Sequence, residues 1–181
     1  KELTTNLTGD TKYLLRVDIG NRADQTFPGY HVQLLANGAL LAQDDSSLTP
    51  GSGQFLTSRV HFIAPANHDQ LGQSLEVKMD SLSLQTVFDN VRLLAVPLSD
   101  LGDLDCDGDV DFDDIDEFVL GLTNSQEYED QIGVPSDVKG DTDGDGDSDY
   151  VEWQAGTNPR DPDDYSDFTR GLVAHYPLDG N

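Results

Sequence analysis

The sequence predicts a multidomain, β-plus-small-α chain: an antiparallel β-sandwich followed by a pair of calcium loop-helix motifs. Three observations carry this. The first hundred residues alternate apolar and polar side chains with period two between turn signals. The charge is lopsided: of the formal net −25, residues 101–181 carry −21 and residues 1–100 only −4. The acid is also biased in kind, 29 Asp against 6 Glu. Asp is a poor helix former that favours caps, turns and short oxygen-ligand loops.

Strands come first. In residues 11–19, Tyr13, Leu15, Val17 and Ile19 share one face, with Lys12, Arg16 and Asp18 on the other. Gly20-Asn21 ends the run with turn chemistry. Tyr30, Val32 and Leu34 alternate with His31 and Gln33. Asn37-Gly38 then signals a two-residue hairpin into Ala39-Leu40-Leu41-Ala42. Pro50-Gly51-Ser52-Gly53 reads as a loop. Leu56, Val60 and Phe62 mark the next strand, then Leu75, Val77 and Met79, and lastly Val91, Leu93 and Ala95 before Pro97. Five or six short strands without a helical period predict a sandwich. His31 and His61 fall on outward faces and read as solvated. Tyr13, Tyr30 and Phe62 read as core by their phase rather than as a sugar-stacking platform. Asp89 reads as a hydrogen-bonded strand-end residue rather than a cation ligand.

The acidic half holds two twelve-residue loops. The first runs from Asp103 through Asp105, Asp107, Asp109 and Asp111 to Asp114, with Gly108 at position 6. The second runs from Asp141 through Asp143, Asp145, Asp147 and Asp149 to Glu152, with Gly146 at position 6. Each places acids at positions 1, 3, 5, 9 and 12, and the position-7 residue offers its carbonyl. Calcium takes roughly six to eight oxygens, so the spacing predicts two Ca2+ ions. Val110 at position 8 would pair with the second loop. Ile115, Phe118, Val119 and Leu122 form an apolar stripe expected to face a small core. Asn124 and Glu127 resemble a capping box, and Gly156 suits a helix C′ position. So small a core predicts that metal staples the fold.

Composition excludes several classes. Ten Lys and Arg are too few for nucleic-acid binding. No apolar run approaches the ~18 residues of a membrane span. Lys1-Glu2-Leu3-Thr4-Thr5 opens the chain without the apolar core of a signal peptide, as in a mature or internal piece. Cys106 alone excludes an internal disulfide framework and a cysteine-based zinc site; it is expected to be exposed. A monomer is expected.

Four resemblances follow. Residues 11–22, 29–35 and Phe88-Asp89-Asn90-Val91-Arg92-Leu93 look like a galactose-binding-like jelly roll, here partial and beginning mid-domain. Gly102 to Asp116 is similar to the first repeat of a type I dockerin, an EF-hand-like motif. Asp141 to Pro162 also looks like the thrombospondin type 3 repeats. Gly171 to Asn181 resembles the opening strand of a laminin-G or concanavalin-like lectin domain, after a Pro/Asp-rich linker. These resemblances imply a sandwich over residues 1–98, a calcium-binding module over 99–160, and a linker with the first strand of a further domain over 161–181. They imply a non-catalytic, calcium-binding fragment of a large secreted bacterial protein, located outside the cell or at its surface. It would link or anchor carbohydrate-binding-like modules, with a carbohydrate ligand. One alternative is a dockerin adaptor for a cohesin, which would meet Phe112-Asp113 and Tyr150-Val151; another is a fragment of a glycoside hydrolase.

Overall fold

The computed structural model describes residues 1–83, 85–143 and 147–161. Seven strands come first: β1 (Glu2–Asn6), β2 (Thr11–Gly20), β3 (Tyr30–Ala36), β4 (Ala39–Asp45), β5 (Phe55–Ala64), β6 (Ser74–Ser81) and β7 (Val87–Pro97). They form two antiparallel sheets, ordered β1-β6-β3-β4 and β5-β2-β7. The expected sandwich is therefore present. β1 was not legible in the alternation; it pairs with β6 through an irregular register. The β3–β4 hairpin turns on Asn37 and Gly38, both at positive φ (48° and 76°), which the right-handed twist of the two strands favours.

The core lies between the sheets. Tyr13, Leu15, Val17 and Ile19 of β2 pack against Tyr30, Val32, Leu34 and Ala36 of β3 and Leu75 and Val77 of β6. Each large apolar side chain buried there contributes roughly 1.5–3 kcal/mol. Tyr13 and Tyr30 are thus core residues, with Phe62 packed at the edge.

A 3-10 turn (Leu98–Asp100) leads into four helices: α1 (Asp114–Thr123), α2 (Ser125–Ile132), α3 (Ser136–Lys139) and α4 (Asp149–Ala155). Asn124 caps α2, accepting from the Glu127 N–H while its own amide donates to the Glu127 carboxylate at 2.8 Å. Gly133 (φ 83°) and Gly156 (φ 79°) take the left-handed conformation, Gly156 just past α4.

These helices pack on the outer face of the β5-β2-β7 sheet, and this changes the reading of β2. Its second face is not solvated. Leu14 and Val96 join Leu101 and Val138 in a second apolar cluster, edged by Leu94, Leu98 and Val134. Lys12 on that face is fully buried. The run Tyr13-Leu14-Leu15 is the sequence mark of a strand covered on both sides.

The loop-helix pair departs from expectation in two ways. The stripe on α1 does not face a core: Ile115, Val119 and Leu122 are 51%, 50% and 40% exposed. No strand joins the two loops among the described residues, and Val110 is exposed. The expected linker and further lectin-like strand, 161–181, fall outside the described residues except for Asp161, and Asp145 lies outside them too. No described helix is long and apolar enough to cross a membrane.

Candidate ligand cleft and acidic loops

Among the described residues, the sandwich is open on one side. β7 ends the three-stranded sheet, and opposite it the four-stranded sheet ends in β1, only five residues long. Between these edges lies a cleft of about 460 Å³, lined by Leu3, Thr5, Tyr13, Leu93 and Ala95 among others. Ala95 pairs with Tyr13 and Leu93 with Leu15, so both stand on the inner face, yet Ala95 is exposed. Tyr13 forms the floor; its hydroxyl accepts the Thr8 N–H at 2.8 Å. The Val77 N–H donates to the Lys1 carbonyl at 3.0 Å and holds the end of β1 against β6. A volume in this range suits a small molecule, and the lining mixes the aliphatic Leu3, Leu93 and Ala95 with Tyr13, Thr4, Thr5 and Lys1. The sequence reading passed over this cleft, because inward-facing residues look alike whether or not a facing strand covers them.

The first acidic loop is held from both ends. Asp114 opens α1 and is 6% exposed. It accepts N–H bonds from Leu104 (2.5 Å), Asp105 (3.2 Å) and Asp111 (2.9 Å). Burial raises its pKa, but those three bonds and the Lys139 charge outweigh it, so the carboxyl sits below its ordinary value. The Tyr128 hydroxyl donates to the Leu104 carbonyl at 2.8 Å and anchors the loop to α2. Cys106 (φ 65°) and Gly108 (φ 106°) make the sharp turns. Asp107 and Asp111 are exposed and accept the N–H groups two residues on, at 3.1 and 2.8 Å. Asp109 is exposed too, and the negative charges of Asp107 and Asp111 lift its pKa.

Asp103, Asp105 and Asp114 bring carboxylate oxygens within 4.8 Å of one another. Asp103 is 6% exposed, and its Oδ1 is buried without a hydrogen-bond donor. Its Oδ2 lies 3.5 Å from the Lys139 ammonium, which also donates to the Asp103 carbonyl and, at 3.0 Å, to the Cys106 sulfur. An all-oxygen cluster with a bare buried carboxylate oxygen fits a hard divalent cation.

The second loop is arranged differently. Asp141 is fully buried and ion-paired with Lys12, which also donates to the Val138 carbonyl at 3.2 Å. Asp149 accepts the N–H and hydroxyl of Thr142, both at 2.7 Å, and its own N–H donates to the Gly140 carbonyl. Asp147 and Glu152 are buried, and Asp143 is half-buried.

Sequence reasoning missed Lys12 and Lys139. Lys139 was the findable one: it is one of three basic residues in the acidic half and stands two before Asp141. The remaining candidates are ordinary. His31 is half-exposed beside Asp45 at 2.9 Å, His61 is half-buried, Asp89 is exposed and accepts the Asn90 N–H, and Cys106 is exposed.

Comparison with known proteins corrects the expected identity. The HpiC1-like family model, described as HpiC1 cyclase, matches residues 1–94, which is the seven-stranded sandwich nearly end to end. No curated protein matches. Solved structures similar to the chain include a Stig cyclase, Fisc, from Fischerella sp. TAU, bound to (3Z)-3-(1-methyl-2-pyrrolidinylidene)-3H-indole. It is 39% identical, with 54% of each chain covered and a TM-score of 0.49. A cyclase from Fischerella sp. TAU, bound to 4-(1H-indol-3-yl)butan-2-one, is 40% identical, with 54% of this chain and 55% of that one covered and a TM-score of 0.49. An apo cyclase from Fischerella sp. is 36% identical, covering 54% and 53%, at the same TM-score of 0.49. The chain spans about half the length of these solved relatives.

The family match overturns the galactose-binding-like, dockerin, EF-hand, thrombospondin type 3 and lectin-like identities. With them go the non-catalytic anchoring role, the polysaccharide setting, and the carbohydrate and cohesin partners. The loose Phe88-Asp89-Asn90-Val91-Arg92-Leu93 pattern marks a closing sandwich strand, which unrelated functions share.

Proposed function

Since the chain belongs to the HpiC1-like cyclase family, we propose that it acts on a small molecule: its sandwich takes part in cyclising a largely apolar, ring-bearing substrate. The carrying observation is the coincidence of the family match, residues 1–94, with strands β1–β7. The cleft between β1 and β7 is the proposed binding place. There Leu3, Leu93 and Ala95 would exclude water, and the Tyr13 ring would form a flat floor fixed by its bond to Thr8.

The acidic module is proposed to carry calcium. Asp103, Asp105, Asp107, Asp109, Asp111 and Asp114 would serve one ion. Asp141, Asp143, Asp145, Asp147, Asp149 and Glu152 would serve a second. Calcium in these loops would supply structural charge balance beside the sandwich. Placement outside the cell or at its surface, where calcium is about millimolar, would suit even weak loops.

The test is a titration of the full chain with 4-(1H-indol-3-yl)butan-2-one, the ligand bound in one of the solved cyclases, followed calorimetrically. Binding to the wild type is expected. Ala95→Trp fills the cleft from an exposed position and should abolish binding while leaving the melting temperature within a few degrees. Equal binding by Ala95→Trp would remove the cleft from the reading. No binding to the wild type, and no conversion of indole substrates by mass spectrometry, would count against the cyclase role of this chain.

A further inference from the structure

Lys139 is one of three basic residues in the acidic half, and it is not placed like a surface lysine. It ends α3, directly after Val138 of the second apolar cluster, and is 5% exposed. Its carbonyl accepts the Gly102 N–H at 2.9 Å, and its ammonium donates to the Asp103 carbonyl. Main chain and side chain thus both grip the start of the first loop. The ammonium also donates to the Cys106 sulfur at 3.0 Å and stands 3.5 Å from Asp103 Oδ2. The two carboxylate oxygens of Asp103 therefore differ. Oδ2 faces the lysine, whereas Oδ1 is buried without a hydrogen-bond donor. Asp103, Asp105 and Asp114 each bring an oxygen within 4.8 Å of the others. A buried carboxylate oxygen left bare beside two more carboxylates is costly unless a cation meets it.

We propose that the Asp103, Asp105 and Asp114 cluster is a divalent-cation site whose charge preference is set by Lys139. This rests on the calcium reading of the first loop. Three carboxylates against one fixed ammonium leave the charge that a single divalent ion balances. Asp103 is the bridge, with Oδ2 toward the lysine and Oδ1 toward the ion. Asp107, Asp109 and Asp111 are exposed, where water and salt screen their charge, so the buried end of the loop weighs most. Repulsion between the ammonium and the bound ion grows in proportion to the charge of the ion. A trivalent ion is therefore penalised half as much again as a divalent ion of similar size, and Tb3+ and Ca2+ are such a pair. Lys139 acts on the ion through space and through Asp103, without ligating it.

Titrations of the chelator-treated full chain with Ca2+ alone and with Tb3+ alone, by calorimetry and Tb3+ luminescence, test this. The first-loop site is the phase lost in Asp103→Asn. Lys139→Met should tighten that phase about tenfold for Ca2+, the size of effect one buried charge exerts. For Tb3+ the gain should be about thirtyfold, from the three-to-two ratio of the ionic charges. The deciding quantity is the ratio of Tb3+ to Ca2+ affinity, which should rise about threefold in Lys139→Met and stay at the wild-type value in Lys139→Arg. A purely structural lysine would shift both ions by the same factor. An unchanged ratio in Lys139→Met, or a Lys139→Arg that behaves like it, would overturn the proposal while leaving the calcium reading intact. No phase lost in Asp103→Asn, or no binding of either ion, would overturn both. If Lys139→Met does not fold, Lys139→Gln takes its place, since its amide can still donate to the Asp103 carbonyl. Failure of both to fold would assign Lys139 to folding and overturn the proposal as well.

Discussion

Tyr30 shows how much one residue can hold in place. Its hydroxyl donates to Asp44 at 2.6 Å, and Asp44 also receives the Ser58 hydroxyl and, at 2.9 Å, the Ser47 N–H. One buried carboxylate thus ties β3, β4 and β5 together inside the sandwich. Burial, and then the bond to Asp44, push the Tyr30 phenol from 10.0 up to about 12. The neutral phenol is the form the fold prefers. Its contribution is complete below pH 10 and is lost as the pH rises from 10.0 to about 12. Urea unfolding at pH 8 and pH 11.5 should show a stability drop about 2 kcal/mol larger in the wild type than in Tyr30→Phe, which keeps the alkaline loss of the other buried phenol with a raised pKa, Tyr128. Tyr30→Phe should itself cost about 1–3 kcal/mol at pH 8, because Asp44 loses a donor where water cannot replace it. An identical alkaline drop in both proteins would rule the network out as its source. The place of Tyr30 in the core was readable from its phase in β3. Its partner was not, because alternation reports a face and says nothing about which polar group waits there.

Helix α1 makes the same distinction at the scale of an element. Its sequence carries a clean apolar stripe, yet the helix buries Asp114 and Gly121 instead. Two contacts set its rotation. Asp114 is pinned by three N–H groups of the first loop, and Gly121 lies so close to α3 that a Cβ would come 2.8 Å from the Ser136 Cβ. The periodicity said correctly that α1 is a helix. Which face turns inward was decided by a capped loop and a missing side chain, neither of which has a period. Two substitutions separate these readings in thermal melts. Val119→Asn should change stability by no more than about 0.5 kcal/mol, as at any exposed position. Gly121→Ala should destabilise by about 1–3 kcal/mol through overpacking, despite alanine's better helix propensity. The reverse order, with Val119→Asn the costly change, would mean that the stripe is covered after all. The strands were more legible than the helices. Asn37-Gly38 and the alternations of β2, β3, β5 and β6 are local signals, and the sheets follow them.

Over the whole molecule, the charge division of −4 and −21 first suggests two unrelated pieces, a sandwich and an acidic appendage. The structure joins them. Of the seven basic residues in the first hundred, Lys12 and Arg16 point from β2 into the acidic module. Arg16 meets Glu129 with both carboxylate oxygens, at 2.9 and 3.1 Å, and Lys12 meets Asp141. Between them sits Leu14, fully buried in the second apolar cluster. These ion pairs, with Arg92 of β7 also 3.5 Å from Glu129, surround an apolar centre and make the module part of the sandwich's outer wall. None of this was visible in the alternation of β2, where Lys12 and Arg16 looked like a solvated face. The strand's burial on both sides depends on residues more than 110 positions away. Leu14→Asp therefore tests the joint without touching the inner core. A carboxylate there is buried and unpaired as long as the module stays docked, a cost of several kcal/mol, and undocking relieves it. The sandwich should stay folded while the module comes away. Limited proteolysis should then cut within residues 98–103, and small-angle scattering should show a larger radius of gyration than the wild type. A variant as compact and as protease-resistant as the parent would mean that the Lys12, Arg16 and Arg92 pairs hold the module without the apolar centre.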